Sequence, residues 1–127
     1  MGRSEHPETD AEKLTADGRR VTAVSRRLPS EDASGEFIGV MKLSSAGANT
    51  LCRGFDQAAE RNAGKLWREG RTFERAYEID LLAELLDQGT PMARENTAGG
   101  YMEIDTLQDL AFAEAWWTAW TTGTTHA

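Results

Sequence analysis

Apolar positions recur along this chain with two different periods, and the changes between them mark out its elements. Two short strand-like runs, Lys13 to Asp17 and Arg20 to Arg26, flank Ala16-Asp17-Gly18-Arg19, where Asp-Gly is a strong turn signal. A β-hairpin is expected there. A polar connector from Pro29 to Gly35 leads into Glu36-Phe-Ile-Gly-Val-Met-Lys-Leu43, which reads as a central strand. Gly39 in its middle marks either a close approach of another backbone or ligand, or a bulge. Ser44 or Ser45 can cap a helix running to about Asn62, with Ala48, Leu51, Cys52, Phe55 and Ala59 at the spacing of one buried face. On that stripe Cys52 reads as a small core residue.

Lys65 to Arg75 is basic and aromatic without a clear period, with Trp67 and Phe73 as expected anchors of a loop packed over a cleft. Ala76 to Gln88 is a second helix whose apolar side is Ile79, Leu82, Leu85 and Leu86, stopped by Gly89. Thr90 to Glu95 is expected as a short strand, and Tyr101-Met-Glu-Ile-Asp105 as another. Thr106 then caps a final helix with Asp109 at its third position, followed by an apolar stripe through Leu107, Leu110, Ala111 and Ala113 and by Trp116, Trp117 and Trp120. Met1 to Asp10 reads as a loop or extended arm and residues 121–127 as a frayed tail, in which His126 has no expected catalytic role. The element order implies a mixed α/β fold.

At 127 residues the chain suits one domain with a single modest core. No apolar run approaches the ~20 residues a bilayer crossing needs, so no membrane association is expected. A formal net charge of -7 argues against general affinity for nucleic acid. Within that acidic background Arg19, Arg20, Arg26 and Arg27 give the hairpin a local positive field. Guanidinium forks suit phosphate or phosphonate oxygens, although charges on an edge strand also serve simply to block aggregation. One cysteine, Cys52, leaves no intramolecular disulfide, and the first residues carry no basic-then-apolar signal; a cytoplasmic location is the expectation.

The candidate chemistry sits where the last strand gives way to the last helix. Alternation puts Tyr101, Glu103 and Asp105 on one face, with Met102 and Ile104 on the other. Two carboxylates at i and i+2 repel unless water, a cation or a basic group screens them, and such oxygens suit Mg²⁺ that keeps several waters. The plain alternative is a solvated acidic edge. Asp80 is likewise a solvated helix charge, or a ligand if the helix start faces a cleft. No Ser/His/Asp set, Cys/His zinc spacing or Gly-rich phosphate loop leading into a helix is present, and no catalytic residue is assigned.

Four blocks in order resemble a known family: Gly2-Arg-Ser-Glu-His-Pro7 with Ala11-Glu-Lys13, Gly35 to Leu43, Phe73-Glu-Arg-Ala-Tyr-Glu-Ile-Asp80, and Gly100-Tyr-Met-Glu-Ile-Asp-Thr106 followed by Gln108-Asp109. They resemble the C-terminal half of the MobA-like nucleotidyltransferases associated with phosphoenolpyruvate phosphomutase in phosphonate biosynthesis. That resemblance implies an incomplete Rossmann-like (GT-A type) α/β fold over residues 1–120, with a mixed sheet and flanking helices. It implies transfer of a cytidylyl group from CTP to a phosphonate or phosphate acceptor, with release of pyrophosphate. Mg²⁺ is the implied cofactor, with Glu103 and Asp105 as its ligands. Arg3, His6, Lys13, Arg26, Glu36, Asp80 and Tyr101 are the implied substrate-binding residues.

The departures are Arg26 where relatives carry Lys, Tyr101 where Trp is usual, and Ile79 where Thr precedes the helix Asp. The strand, Gly-rich turn and basic signature that hold the nucleotide in such enzymes do not precede Met1. The chain is therefore expected to be inactive alone and to need an N-terminal half or a partner chain. An uncovered sheet edge would make it marginally stable or oligomeric. Two other readings stand beside this one: a non-catalytic interaction module and a decayed fragment.

Overall fold

The computed structural model describes residues 11–97 and 99–123, so Arg3, His6 and His126 lie outside the described residues. These residues form two compact units, divided at Glu95/Asn96. Together they are mixed α/β, with one three-stranded antiparallel sheet and three α-helices among the described residues.

The first unit opens with the hairpin where the turn signal placed it. Strand β1, Lys13–Asp17, pairs antiparallel with β2, Arg20–Ser25. Gly18 turns the chain at φ 57, a left-handed conformation in which any Cβ would be strained. Thr15 faces Ala23 but Ala16 faces Val21, so Thr22 is the extra residue of a bulge. Its hydroxyl meets that of Thr15 at 2.8 Å.

The run after the connector departs from expectation. Strand β3 is only Gly35–Glu36, paired antiparallel with β1, so the sheet order is β2-β1-β3 and β1 is central. Gly39 takes φ 74 with nothing within 4 Å of a would-be Cβ. The glycine thus ends the extended run by its backbone rather than admitting a neighbour, and Phe37 and Met41 fold onto the core instead. The expected strand after Thr90 is likewise reduced to one bridge. Ala93 lies opposite Arg20, the Val21 N–H donates to the Met92 carbonyl at 3.0 Å, and the Arg94 N–H to the Arg19 carbonyl at 2.8 Å.

Helix α1, Ser45–Asn62, begins at Ser44, whose Oγ accepts the Gly47 N–H at 3.0 Å. Helix α2, Glu78–Asp87, carries two apolar stripes. Ile79 and Leu82 join Val24 of β2 in one cluster, while Leu81 and Leu85 join Ala58 of α1 in another. The buried line of α1 is Gly54 and Ala58, and Cys52 and Phe55 are exposed, contrary to expectation. The helical period was legible, but its phase is set by small residues that let α1 approach α2 closely.

Between the helices, Leu66 bridges to Thr72, and Arg68–Gly70 and Phe73–Arg75 are single 3-10 turns. Trp67 and Phe73 anchor this loop as expected, packing on the Ala58/Leu81/Leu85 cluster with ring centroids 5.4 Å apart. The Trp67 Nε1–H donates to Glu84 Oε2 at 2.5 Å.

The second unit contains helix α3, Leu107–Thr121. Residues 101–105 form no strand, which corrects the alternation reading. Alternation names a shared face but supplies no ladder; Gly99 and Gly100, at φ 118 and 74, turn the backbone immediately before it. Leu107 is 86% exposed and Leu110 41%, so the expected stripe at the start of α3 is not a buried one. Among the described residues no helix is long and apolar enough to cross a membrane.

Candidate functional site

In the first unit the end of β2, the 65–75 loop and the start of α2 assemble a network of guanidinium and carboxylate groups. Asp80 stands at the third position of α2, and its Oδ2 accepts the Tyr77 N–H at 2.8 Å, satisfying one of the donors a helix start leaves open. Only 2% exposed, it also receives Arg71 Nη2 on both oxygens at 3.0 Å and Arg71 Nε on Oδ2 at 3.2 Å. Arg71 Nη2 further donates to Glu69 Oε2 at 3.0 Å.

Glu69 sits at φ 49, unusual for a residue with a Cβ, and is held there from several sides. The Ser25 hydroxyl donates to its Oε1, and Arg27 Nη2 donates to its carbonyl oxygen at 2.5 Å. Ser25 Oγ in turn accepts the Arg27 N–H at 2.9 Å. Partial burial pushes the Glu69 carboxyl upward, but the Ser25 and Arg71 hydrogen bonds and the charges of Arg71 and Arg27 outweigh it and hold the group below its ordinary range. Burial likewise works against the Arg71 charge, yet Asp80 and Glu69 raise its pKa further.

Arg26 lies beside this network. Its guanidinium carbon is 3.8 Å from the centroid of the Tyr77 ring, over which Arg71 also sits at 4.7 Å. Among the described residues the Arg26 head makes one hydrogen bond, Nη2 to Glu12 Oε1 at 3.3 Å, while its enclosed Nε has no partner. A guanidinium carries five donors, so this one retains capacity for a strong acceptor. Lys13, 7% exposed, lies opposite Ser25 on one side of β1 and Glu36 on the other.

Four of the nominated residues therefore share one neighbourhood. Lys13 and Glu36 face each other across the sheet, Arg26 follows Ser25, and Asp80 caps the helix whose leading Tyr77 ring Arg26 covers. Asp80 is spent on the protein itself, through Arg71 and the Tyr77 N–H. Sequence patterning does not single out Ser25, Glu69, Arg71 or Tyr77. An aromatic three residues before a helix-start Asp hints at the Tyr77/Asp80 cap, but no local pattern announces Glu69 at a positive φ.

Glu103, Asp105 and Tyr101 belong to the second unit. The Tyr101 hydroxyl donates to Glu103 Oε1 at 2.7 Å. Asp109, 4% exposed, closes the expected capping box: its Oδ2 accepts the Thr106 N–H at 2.9 Å and hydroxyl at 2.7 Å, while Thr106 Oγ1 accepts the Asp109 N–H at 3.2 Å. The Asp105 N–H also points to Asp109 Oδ2, at 3.3 Å. Glu103 is half-buried and Asp105 exposed. Among the described residues no group of three or more His, Cys, Asp or Glu is arranged to hold a metal. Two carboxylates by themselves are fewer oxygen ligands than a hard cation takes, so any such ion would draw the rest from water or a ligand.

No protein-family model, curated protein or solved structure matches this chain.

Proposed function

We propose that this chain is the C-terminal, acceptor-side portion of a Mg²⁺-dependent nucleotidyltransferase with an incomplete Rossmann-like (GT-A type) fold. It moves a cytidylyl group from CTP to a phosphonate or phosphate oxygen. The reading rests on the four-block resemblance, and the observation that carries it is the grouping of Lys13, Arg26, Glu36 and Asp80 around the end of β2. Such a cluster suits an anionic acceptor: Arg26 offsets its charge, and Asp80 with Arg71 keeps the surrounding backbone in place.

In the reaction an acceptor oxygen bonds to the α-phosphorus of CTP as the bond to the bridging oxygen of pyrophosphate breaks. Catalysis of this kind is mainly positioning and charge neutralisation. Glu103 and Asp105 are the residues that would hold Mg²⁺, which when bound supplies neutralisation at the α-phosphate and the leaving pyrophosphate. Arg3, His6 and Tyr101 complete the proposed substrate contacts. These 127 residues hold no Gly-rich nucleotide loop leading into a helix, so the proposal expects turnover with a protein that supplies one.

The test is CTP- and Mg²⁺-dependent pyrophosphate release with candidate phosphonates, by the chain alone and mixed with a protein carrying a Gly-rich nucleotide loop. Release only in the mixture, lost in Glu103→Gln/Asp105→Asn, supports the proposal; robust release by the chain alone defeats its incompleteness. A second reading, a non-catalytic docking module, is favoured by α3, where Trp117 and Trp120 are each 56% exposed. Capture of the same loop-bearing protein, undiminished in Glu103→Gln/Asp105→Asn and without pyrophosphate release, would select it.

A further inference from the structure

Tyr77 has two roles that separate cleanly by atom. Its backbone belongs to the cap of α2, through the N–H given to Asp80 and the carbonyl that accepts the Asp80 N–H at 3.0 Å. Its side chain does something else: the ring is 44% exposed and carries the Arg26 guanidinium at 3.8 Å from its centroid. An exposed aromatic is not kept for core packing. Flat stacking on a ring uses the face of a guanidinium and leaves its edge, where the N–H donors lie, for an acceptor in the plane.

Arg26 keeps hydrogen-bonding capacity while it lies over the ring. Its side chain is 23% exposed, its Nη2 has one long bond to Glu12, and its Nε has none among the described residues. Arg71, tied to both oxygens of Asp80 and to Glu69, lies against the same ring at 4.7 Å from its centroid. A long flexible arginine would otherwise lose several torsional degrees of freedom on gripping a ligand, and holding it beforehand removes part of that cost.

We propose that Tyr77 is a positioning residue for Arg26: its ring, flanked by the Arg71–Asp80–Glu69 network, presents the Arg26 guanidinium edge to a phosphate or phosphonate oxyanion. This rests on the acceptor-side reading above and adds to it the residue that sets the affinity of that subsite. Glu12 is the internal carboxylate the incoming oxyanion joins or displaces at Nη2.

The experiment follows the Arg26 Nε–H resonance in the full 127-residue chain by ¹⁵N NMR during titration with inorganic phosphate and with methylphosphonate. In the native chain a saturable shift is expected. Tyr77→Phe keeps the ring and stays within about twofold, whereas Tyr77→Leu weakens binding up to about tenfold, the cost of immobilising one rotamer-rich side chain on binding. The cap uses only Tyr77 backbone atoms and the side chain is half outside, so the amide spectrum of α2 remains native in both variants. Tyr77→Gln, flat but without a π face, provides a second substitution and is expected to behave like Tyr77→Leu. Equal affinity of the native, Leu and Gln forms overturns the positioning role while leaving the acceptor subsite standing. No shift in the native chain with either probe overturns the acceptor-side reading, and the role of Tyr77 with it.

Discussion

Replacing Gly54 by alanine tests whether the closeness of α1 and α2 is what holds the first unit together. A Cβ built at Gly54 would lie 2.7 Å from Leu85 Cδ2, 3.4 Å from Leu85 Cγ and 3.7 Å from Leu81 Cδ1. Leu85 is 3% exposed and packs with the fully buried Ala58, so its methyl cannot swing into open space. Overfilling a packed core in this way costs about 1–3 kcal/mol. Against it, alanine in a helix interior is favoured by about 1 kcal/mol over glycine. The balance is a loss of about 1 kcal/mol, read as a lower urea midpoint by far-ultraviolet circular dichroism and a Tm lower by about 4 °C. A double-mutant cycle isolates the cause. Leu85→Ala alone costs about 2–5 kcal/mol, but combined with Gly54→Ala the new methyl enters the space vacated, so the pair loses at least about 1 kcal/mol less than the sum. Additive losses, or a Gly54→Ala chain more stable by its full helix propensity, would refute the close-packing argument.

Asp80→Asn should cost about 3 kcal/mol in urea denaturation, because it leaves Arg71 without the carboxylate that offsets its partly buried charge; a loss below about 1 kcal/mol would contradict the pairing. Glu69 contributes stability that is fully present above the ordinary carboxyl value of 4.5 and is lost as pH falls through its lower folded value, so the acid limb of a stability–pH profile should flatten in Glu69→Gln. Thr106→Ala removes the hydroxyl that both accepts from and donates to Asp109, and should reduce helix α3 stability by about 1 kcal/mol, seen as faster amide exchange in its first turn. Mn²⁺, substituted for Mg²⁺, should broaden the Glu103 and Asp105 resonances at sub-stoichiometric levels, and Glu103→Gln/Asp105→Asn should abolish the effect; broadening that persists unchanged in the double variant would remove these residues from the metal site.

Signals that are local in the chain were legible, and those that depend on a distant neighbour were not. Asp17-Gly18 marked the hairpin, the Ser44/Ser45 pair and Thr106 the helix starts, with Ser44 the cap in the structure, and Gly89 at φ 87 the end of α2. The extent of β3 was not legible, because an apolar run such as residues 37–43 fits a strand or a coil folded onto the core equally well. The phase of α1 was missed for a related reason: apolar spacing favours the larger Phe55, whereas close helix packing selects Gly54 and Ala58. For the candidate site, Lys13, Arg26, Glu36 and Asp80 were nominated, but the clamp joining them was hidden. Ser25 and Glu69 are 44 residues apart, and neither type is distinctive alone.

The two buried aspartates show how the chemistry and the architecture divide the acidic residues between them. Asp80 and Asp109 both stand at the third position of a helix, both are at most 4% exposed, and both accept the N–H of the residue that starts the cap. An aspartate so engaged cannot turn outward to a ligand without releasing a helix start, which costs about as much as one new hydrogen bond to that ligand would return. Under the proposed function, ligand chemistry would fall to groups off the caps: Glu103 and Asp105 before α3, and Arg26 beyond the end of β2. Under the same proposal Asp80, engaged by its helix start and by Arg71, would act through Arg71 and Tyr77 rather than by touching the ligand. Substitutions at Asp80 should then change stability and the orientation of Arg26 together, whereas those at Glu103 and Asp105 should leave stability unchanged and remove the metal response.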